Sequence, residues 1–226
     1  MLVKYLGHSA FLIQSSECNI LIDPFIKDNP NCPINLKELP HVDYILVTHG
    51  HNDHIGDTIL ISKKYNSIVI CNFEISLYLS KYNIKCMPMH IGGRINPSFG
   101  KVKMIPALHG SSIYEGTHLI YAGNPCGFLL EIENHKIYHA GDTGLSIEMK
   151  LLEHEDIDFA MLPIGGVFTM DVDDCIKAID FINPKNVIPI HFNTFDAINA
   201  DPNLLKDNVK SCNISILNPG EDIKIN

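Results

Sequence analysis

The chain has 226 residues, 46% hydrophobic and 19% charged, with 17 basic against 26 acidic side chains and a formal charge of −9. That length and composition predict one globular domain over residues 1–226, able to bury a core without disulfides or a structural metal. The acidic balance argues against sequence-independent binding to long nucleic acid, which needs a basic footprint.

Alternating apolar residues predict strands at Leu2–Leu6, Ala10–Gln14 and Asn19–Ile22, with a hairpin turn over Gln14–Asn19 and a stop at Asp23-Pro24. Residues 27–40, rich in Pro and Asn, read as an irregular surface loop. Tyr44–Thr48 is a short buried strand, Asp57–Tyr65 a helix, Ser67–Cys71 a strand, Phe73–Tyr82 a helix and Cys86–Met89 a strand. Residues 90–100 form a Gly/Pro-containing loop, and strands follow at Lys101–Pro106, Gly127–Glu133 and Lys136–Ala140. The connection Gly110–Pro125 has a length that in compact domains is often functional. The last third alternates: helix 145–154, strand 158–164, helix 171–182, strand 187–191, helix 202–210, strand 214–217. Two mixed sheets face to face with helices outside (αββα) fit this pattern, and so does one doubly wound sheet. Pattern alone leaves both open.

The seven cysteines are odd in number and none forms a C-x-x-C pair. Free thiols packed as small apolar groups in a reducing, cytoplasmic setting are the expectation. The opening MLVKYLGHSAFLIQ lacks the features of a signal peptide, and no apolar run approaches a membrane span.

The strongest chemical signal is Thr48-His49-Gly50-His51-Asn52-Asp53-His54, directly after an apolar strand. On extended backbone, side chains two apart point the same way, so His49 and His51 can converge on one ion. Asp53 and His54 are neighbours and diverge, which suits a second ion beside the first. Imidazole and carboxylate both ligate zinc and related divalent metals. With twelve histidines in the chain one chance neighbour is ordinary, but three with an aspartate in this register are not. Further ligands are expected at strand ends, where His109, Asp142 and His191 each follow an apolar run. A lone histidine there is ordinarily a hydrogen-bonded core residue; the set gains its meaning from the first motif.

H-x-H-x-D-H, then a distant His, then Asp in Ala140-Gly141-Asp142-Thr143, then His after a strand, resembles the metallo-β-lactamase superfamily over essentially the whole chain. The resemblance implies an α+β fold, the αββα sandwich. It implies that His49, His51 and His109 hold one metal, Asp53, His54 and His191 the other, and that Asp142 bridges them. Gly7-His8-Ser9-Ala10-Phe11, Ile20-Leu21-Ile22-Asp23-Pro24, Gly141-Asp142-Thr143-Gly144 and Leu162-Pro163-Ile164-Gly165-Gly166 resemble a branch of small metal-dependent hydrolases akin to L-ascorbate-6-phosphate lactonase. Asp57 departs from that branch, where many relatives have a second Gly, without touching the ligands.

The branch suggests that Asp23 accepts the free ring N–H of a ligand histidine and fixes its tautomer. His8 is a candidate for substrate binding or proton transfer, and Asp53 for protonating the leaving group. Arg94, the chain's only arginine, and Asn193 are candidate substrate contacts. The remaining histidines, His41, His90, His118, His135, His139 and His154, read as surface or loop residues. The expected activity is hydrolysis of a small ester, lactone or phosphoester by a hydroxide bridging two divalent ions, zinc first, with manganese or iron as alternatives. No Ser-His-Asp or Cys-His motif offers another nucleophile. A nuclease is the rival reading, and an iron redox or thiol enzyme a third. A small-molecule substrate and no membrane partner complete the expectation.

Overall fold

In the computed structural model, which describes residues 1–225, the first half of the chain builds one sheet. Its strands are β1 (Leu2–Tyr5), β2 (Phe11–Gln14), β3 (Asn19–Ile22), β4 (Tyr44–Leu46), β5 (Ile68–Asn72) and β6 (Cys86–Met89). β1, β2 and β3 pair antiparallel, whereas β3 to β6 run parallel. Parallel neighbours need crossover connections: an irregular segment joins β3 to β4, α1 (Asn52–Ile55) and α2 (Thr58–Tyr65) lie between β4 and β5, and α3 (Phe73–Ser80) lies between β5 and β6.

The second half adds β7 (Arg94–Ile95), β8 (Lys101–Pro106), β9 (Ser112–Glu115), β10 (His118–Tyr121), β11 (Cys126–Ile132) and β12 (His135–His139). β13 (Phe159–Pro163), α4 (Val172–Ile182), β14 (Asn186–Ile190), α5 (Pro202–Asn208), β15 (Asn213–Ile214) and β16 (Asp222–Lys224) follow. The second sheet has the order β15-β14-β13-β12-β11-β8-β7, and β9 and β10 form a separate hairpin. β16 returns to the first sheet and pairs with β1, Val3 opposite Ile223.

Alternation along the strands sorts the side chains into three apolar layers. Phe11, Ile13, Ile20, Ile22 and Leu46 face Met104, Phe128, Leu130, Met161 and Ile188 between the sheets. Leu12, Leu21, Ile45 and Val69 point the other way, against Ile61, Ile75 and Leu79 of α2 and α3. On the far side, Leu129, Tyr138, Ala160 and Leu162 meet Cys175, Ala178, Ile179 and Ile182 of α4. Those four helical positions follow the i, i+3, i+4, i+7 spacing of a single buried stripe. α4 starts where Asp171 accepts from the Asp174 N–H and ends at Asn183 in the left-handed region. The result is the αββα sandwich.

Four local expectations are corrected. The connection 110–125 holds the β9–β10 hairpin, whose inward Ile113 and Ile120 face each other in register. Residues 145–154 form a 3₁₀ turn over Ile147–Leu152 and not an α-helix. Its two buried residues, Met149 and Leu152, are three apart and so eclipse in a three-residue repeat. The 90–100 loop contains β7. His139, expected at the surface, is fully buried. Its Nε2–H donates to the Ser9 carbonyl (2.9 Å) and its Nδ1 accepts the Gly141 N–H (3.1 Å).

Candidate metal centre

Every expected ligand stands where a strand has just ended. β4 ends at Leu46, and the chain continues through Thr48 and His49 to His51, which caps α1 in extended conformation (φ −65°, ψ 149°). Asp53 and His54 then lie on the first turn of α1, one helical step apart. Gly50 is required between the two histidines. A Cβ there would lie 2.6 Å from Ala122 Cβ and 2.9 Å from Ile113 Cγ1, inside the β9–β10 hairpin. Gly141, before Asp142, has φ +63° and would meet the Cys126 carbonyl at 2.7 Å.

His49 Nε2 and His51 Nδ1 come within 3.0 Å, and His109 Nε2 lies 3.3 Å from His51 Nδ1. A second group gathers His8, Asp53, His54 and His191. Asp142 touches both. Its Oδ2 lies 3.5 Å from His109 Nε2, 4.0 Å from His49 Nε2 and 3.0 Å from His191 Nε2, while Oδ1 lies 3.2 Å from His54 Nε2.

The donor set fits divalent ions. His54 Nε2 and Asp142 Oδ1 are buried with no hydrogen-bond partner among the described residues. The two atoms, 3.2 Å apart, are aimed at a shared space that a divalent cation would fill.

Asp23, fully buried at φ +44°, organises the floor. Its Oδ1 accepts the Thr48 N–H (2.8 Å), and Oδ2 accepts both the Thr48 hydroxyl (2.7 Å) and His54 Nδ1–H (2.8 Å). Because the hydroxyl proton goes to Asp23, Thr48 Oγ1 accepts from His49 Nδ1–H (3.0 Å). One carboxylate thus sets the tautomer of a histidine in each group, leaving both Nε2 atoms free to ligate. Asp57 does comparable work nearby, accepting the Ile26 and Lys27 N–H groups that fix the loop after β3.

His8 stands on the β1–β2 turn at φ +60°. Its Nε2–H donates to Asp53 Oδ2 (3.0 Å), and the Thr194 hydroxyl meets Nδ1 (2.9 Å). Burial pushes its pKa down to about 4 against the pull of Asp53. Burial likewise lowers His49, His51 and His109. In His54 burial works against the charge, yet Asp142, Asp23 and Asp53 together raise it well above the imidazole range. Asp142 is held far below the carboxylate range by His54 and His191, although burial opposes this.

The donor ring opens into a cavity of about 260 Å³ lined by His51, Asp53, His109, Asp142, Phe168, His191, Phe195, Ala197 and Ile198. Arg94 and Asn193 do not reach it. Arg94, on β7, lines a separate cleft with Lys101, Lys103 and Lys136. Asn193 turns its Oδ1 to the Ala200 N–H. Sequence reasoning missed Thr48, Thr194, Phe168 and Phe195. Thr48 was legible in hindsight, since its position between strand and first ligand leaves its side chain beside Asp23.

A four-layer sandwich with this candidate donor ring at its strand ends is the architecture of the metallo-β-lactamase fold with a candidate metal centre. The chain belongs to the family described as the Beta-lactamase superfamily domain, whose model matches residues 18–192. It is 50% identical over 221 residues to a UPF0173 metal-dependent hydrolase of Alkaliphilus metalliredigens, with 98% of each chain covered. A UPF0173 metal-dependent hydrolase of Carboxydothermus hydrogenoformans is 47% identical over 224 residues, again with 98% of each covered. Igni18, a metallo hydrolase from the archaeon Ignicoccus hospitalis, superposes with a TM-score of 0.90 at 32% identity, covering 98% of this chain and 97% of its own.

Proposed function

We propose that the chain holds two divalent ions and hydrolyses a small ester, lactone or phosphoester. His49, His51 and His109 hold one ion, Asp53, His54 and His191 the other, and Asp142 bridges them. The observation that carries this reading is Asp142, whose carboxylate lies 3.0 to 4.0 Å from imidazoles of both groups. The nitrogen and oxygen donors, with no cysteine among them, suit zinc first and accommodate manganese or iron. When bound, such ions supply Lewis-acid activation of water and of the scissile bond.

The chain's own residues do the rest. Asp23 and Thr48 keep His49 and His54 turned toward the site. Asp53, its side chain 30% exposed toward the cavity and its carboxylate fixed by the His8 Nε2–H, is positioned to take the proton released by the attacking water and pass it to the departing group. Seven unpaired cysteines accord with a reducing cytoplasm. No described helix is long and apolar enough to cross a membrane.

The test is metal analysis of the purified protein combined with turnover of lactones, esters, phosphodiesters and short RNA. About two ions per chain and turnover of small substrates are expected. Turnover of RNA alone would replace this reading with a nuclease, and full metal content in His51→Ala and Asp142→Ala variants would refute the ligand set.

A further inference from the structure

Above the donor ring, the cavity walls are Phe168, Phe195, Ala197 and Ile198. They come from the segments after β13 and after β14. Both aromatic rings are open to solvent on one side, Phe168 at 59% and Phe195 at 44% exposure, with Val167 also exposed beside Phe168 in the chain. Clustered apolar exposure at the mouth of a polar site marks a surface that something apolar covers.

The walls are held, not loose. Phe168 rides a tight turn in which Thr169 N–H donates to the Gly166 carbonyl (2.6 Å) and Gly166 N–H to Met170 (3.0 Å). Met170 N–H in turn donates to the Thr143 carbonyl, one residue past Asp142. The Phe195 ring packs 5.7 Å from the His8 ring and 6.3 Å from Phe25. The two segments also press on each other: a Cβ on Gly165 would lie 2.9 Å from Ile198 Cβ.

Cationic side chains gather elsewhere. No lysine or arginine among the described residues lines the cavity; Arg94, Lys101, Lys103 and Lys136 share the cleft of about 420 Å³ on the outer face of the second sheet, where Glu131 and Glu155 pair with the lysines. A charged group lodged between these rings would meet no cation in the lining and would lose part of its hydration against apolar walls. The cavity of about 260 Å³ falls just under the roughly 300–1,000 Å³ of sites for drug-sized ligands.

We propose that Phe168 and Phe195 form a specificity pocket for an uncharged substrate carrying a small alkyl or aryl group beside a scissile ester or lactone carbonyl. The inference rests on the hydrolase reading above and narrows it, setting aside substrates with a remote phosphate or carboxylate.

The test compares two chelating probes on the metal-loaded full-length protein, benzohydroxamate and para-carboxybenzohydroxamate, which differ only in a remote charge. Calorimetry should give at least about tenfold tighter binding of the neutral probe, the scale on which apolar pockets discriminate. A lactone with an alkyl substituent should exceed its carboxylate-bearing counterpart in kcat/KM by a similar factor. Phe168→Lys, at an exposed position, should keep metal content and urea stability while reversing the preference. Equal or tighter binding of the charged probe by the unaltered protein, or an unchanged ratio in Phe168→Lys, overturns the proposal alone. A protein that takes up no metal overturns the hydrolase reading and this inference with it.

Discussion

Replacing Asp23 with Asn changes a charge and almost nothing in shape. The residue sits at φ +44°, a region Asn tolerates as well as Asp, so the backbone has no cause to move. The hydrogen bonds cannot all survive. The carboxylate accepts three donors, Thr48 N–H, Thr48 Oγ1–H and His54 Nδ1–H, but an amide offers one oxygen and turns its own N–H groups toward the others. In either orientation at least one buried donor is left facing another. Hydrogen bonds to a charged group contribute about 1.5–3 kcal/mol each, so the metal-free fold should lose stability in that range. Metal binding should weaken about 10- to 100-fold, the usual effect of removing a partner that orients a ligand histidine. That factor corresponds to about 1.4–2.8 kcal/mol, in agreement with the hydrogen-bond figure. Chelator competition reads the affinity, and urea unfolding of the metal-free protein reads the stability. An Asp23→Asn variant that keeps both at wild-type values would refute the role given to Asp23.

Gly50→Ala drives a methyl group into Ala122 and Ile113 and should cost about 1–3 kcal/mol as the hairpin is displaced, read as a lower urea midpoint together with reduced metal affinity. Leu130→Ala, fully buried between the sheets, should cost about 2–5 kcal/mol without altering the ligand set. Burial pulls the Asp158 carboxyl upward, but its bonds from Lys185 Nζ (2.7 Å) and the Lys136 N–H (2.9 Å) win and hold it below its ordinary value. Its contribution is therefore present above the unfolded pKa of about 3.9 and lost as pH falls through the folded value. The stability gap between wild type and Asp158→Asn should shrink in urea titrations as pH drops below about 4. Removing metal with a chelator should abolish turnover and lower Tm, and reloading should restore both.

The clustering of the candidate ligands was legible because backbone geometry is local. Period-two alternation carries His49 and His51 to the same side, and strand ends are visible wherever an apolar run stops. The choice of two sheets over one was not, since a strand's alternation does not name its partner. What separates the architectures is long-range pairing, β11 with β8 and β16 with β1, and β16 is only three residues long. His139 was misread because its burial is set by Ser9, 130 positions earlier in the chain. The β9–β10 hairpin escaped notice because Glu115 and His118 dilute its apolar alternation. Phe168 and Phe195 belong to no motif, and only the approach of the segments after β13 and β14 gives them a shared cavity.

The pairing of β16 with β1 sets an order of events during synthesis. β1 is made long before β16, so the outer edge of β1 presents unpaired N–H and C=O groups while the chain between them is made. An open edge of this kind invites intermolecular pairing, and nascent chains stalled before Asp222 should aggregate where the finished ones do not. The same closure brings the Met1 amino group within 3.0 Å of the Ile225 carbonyl.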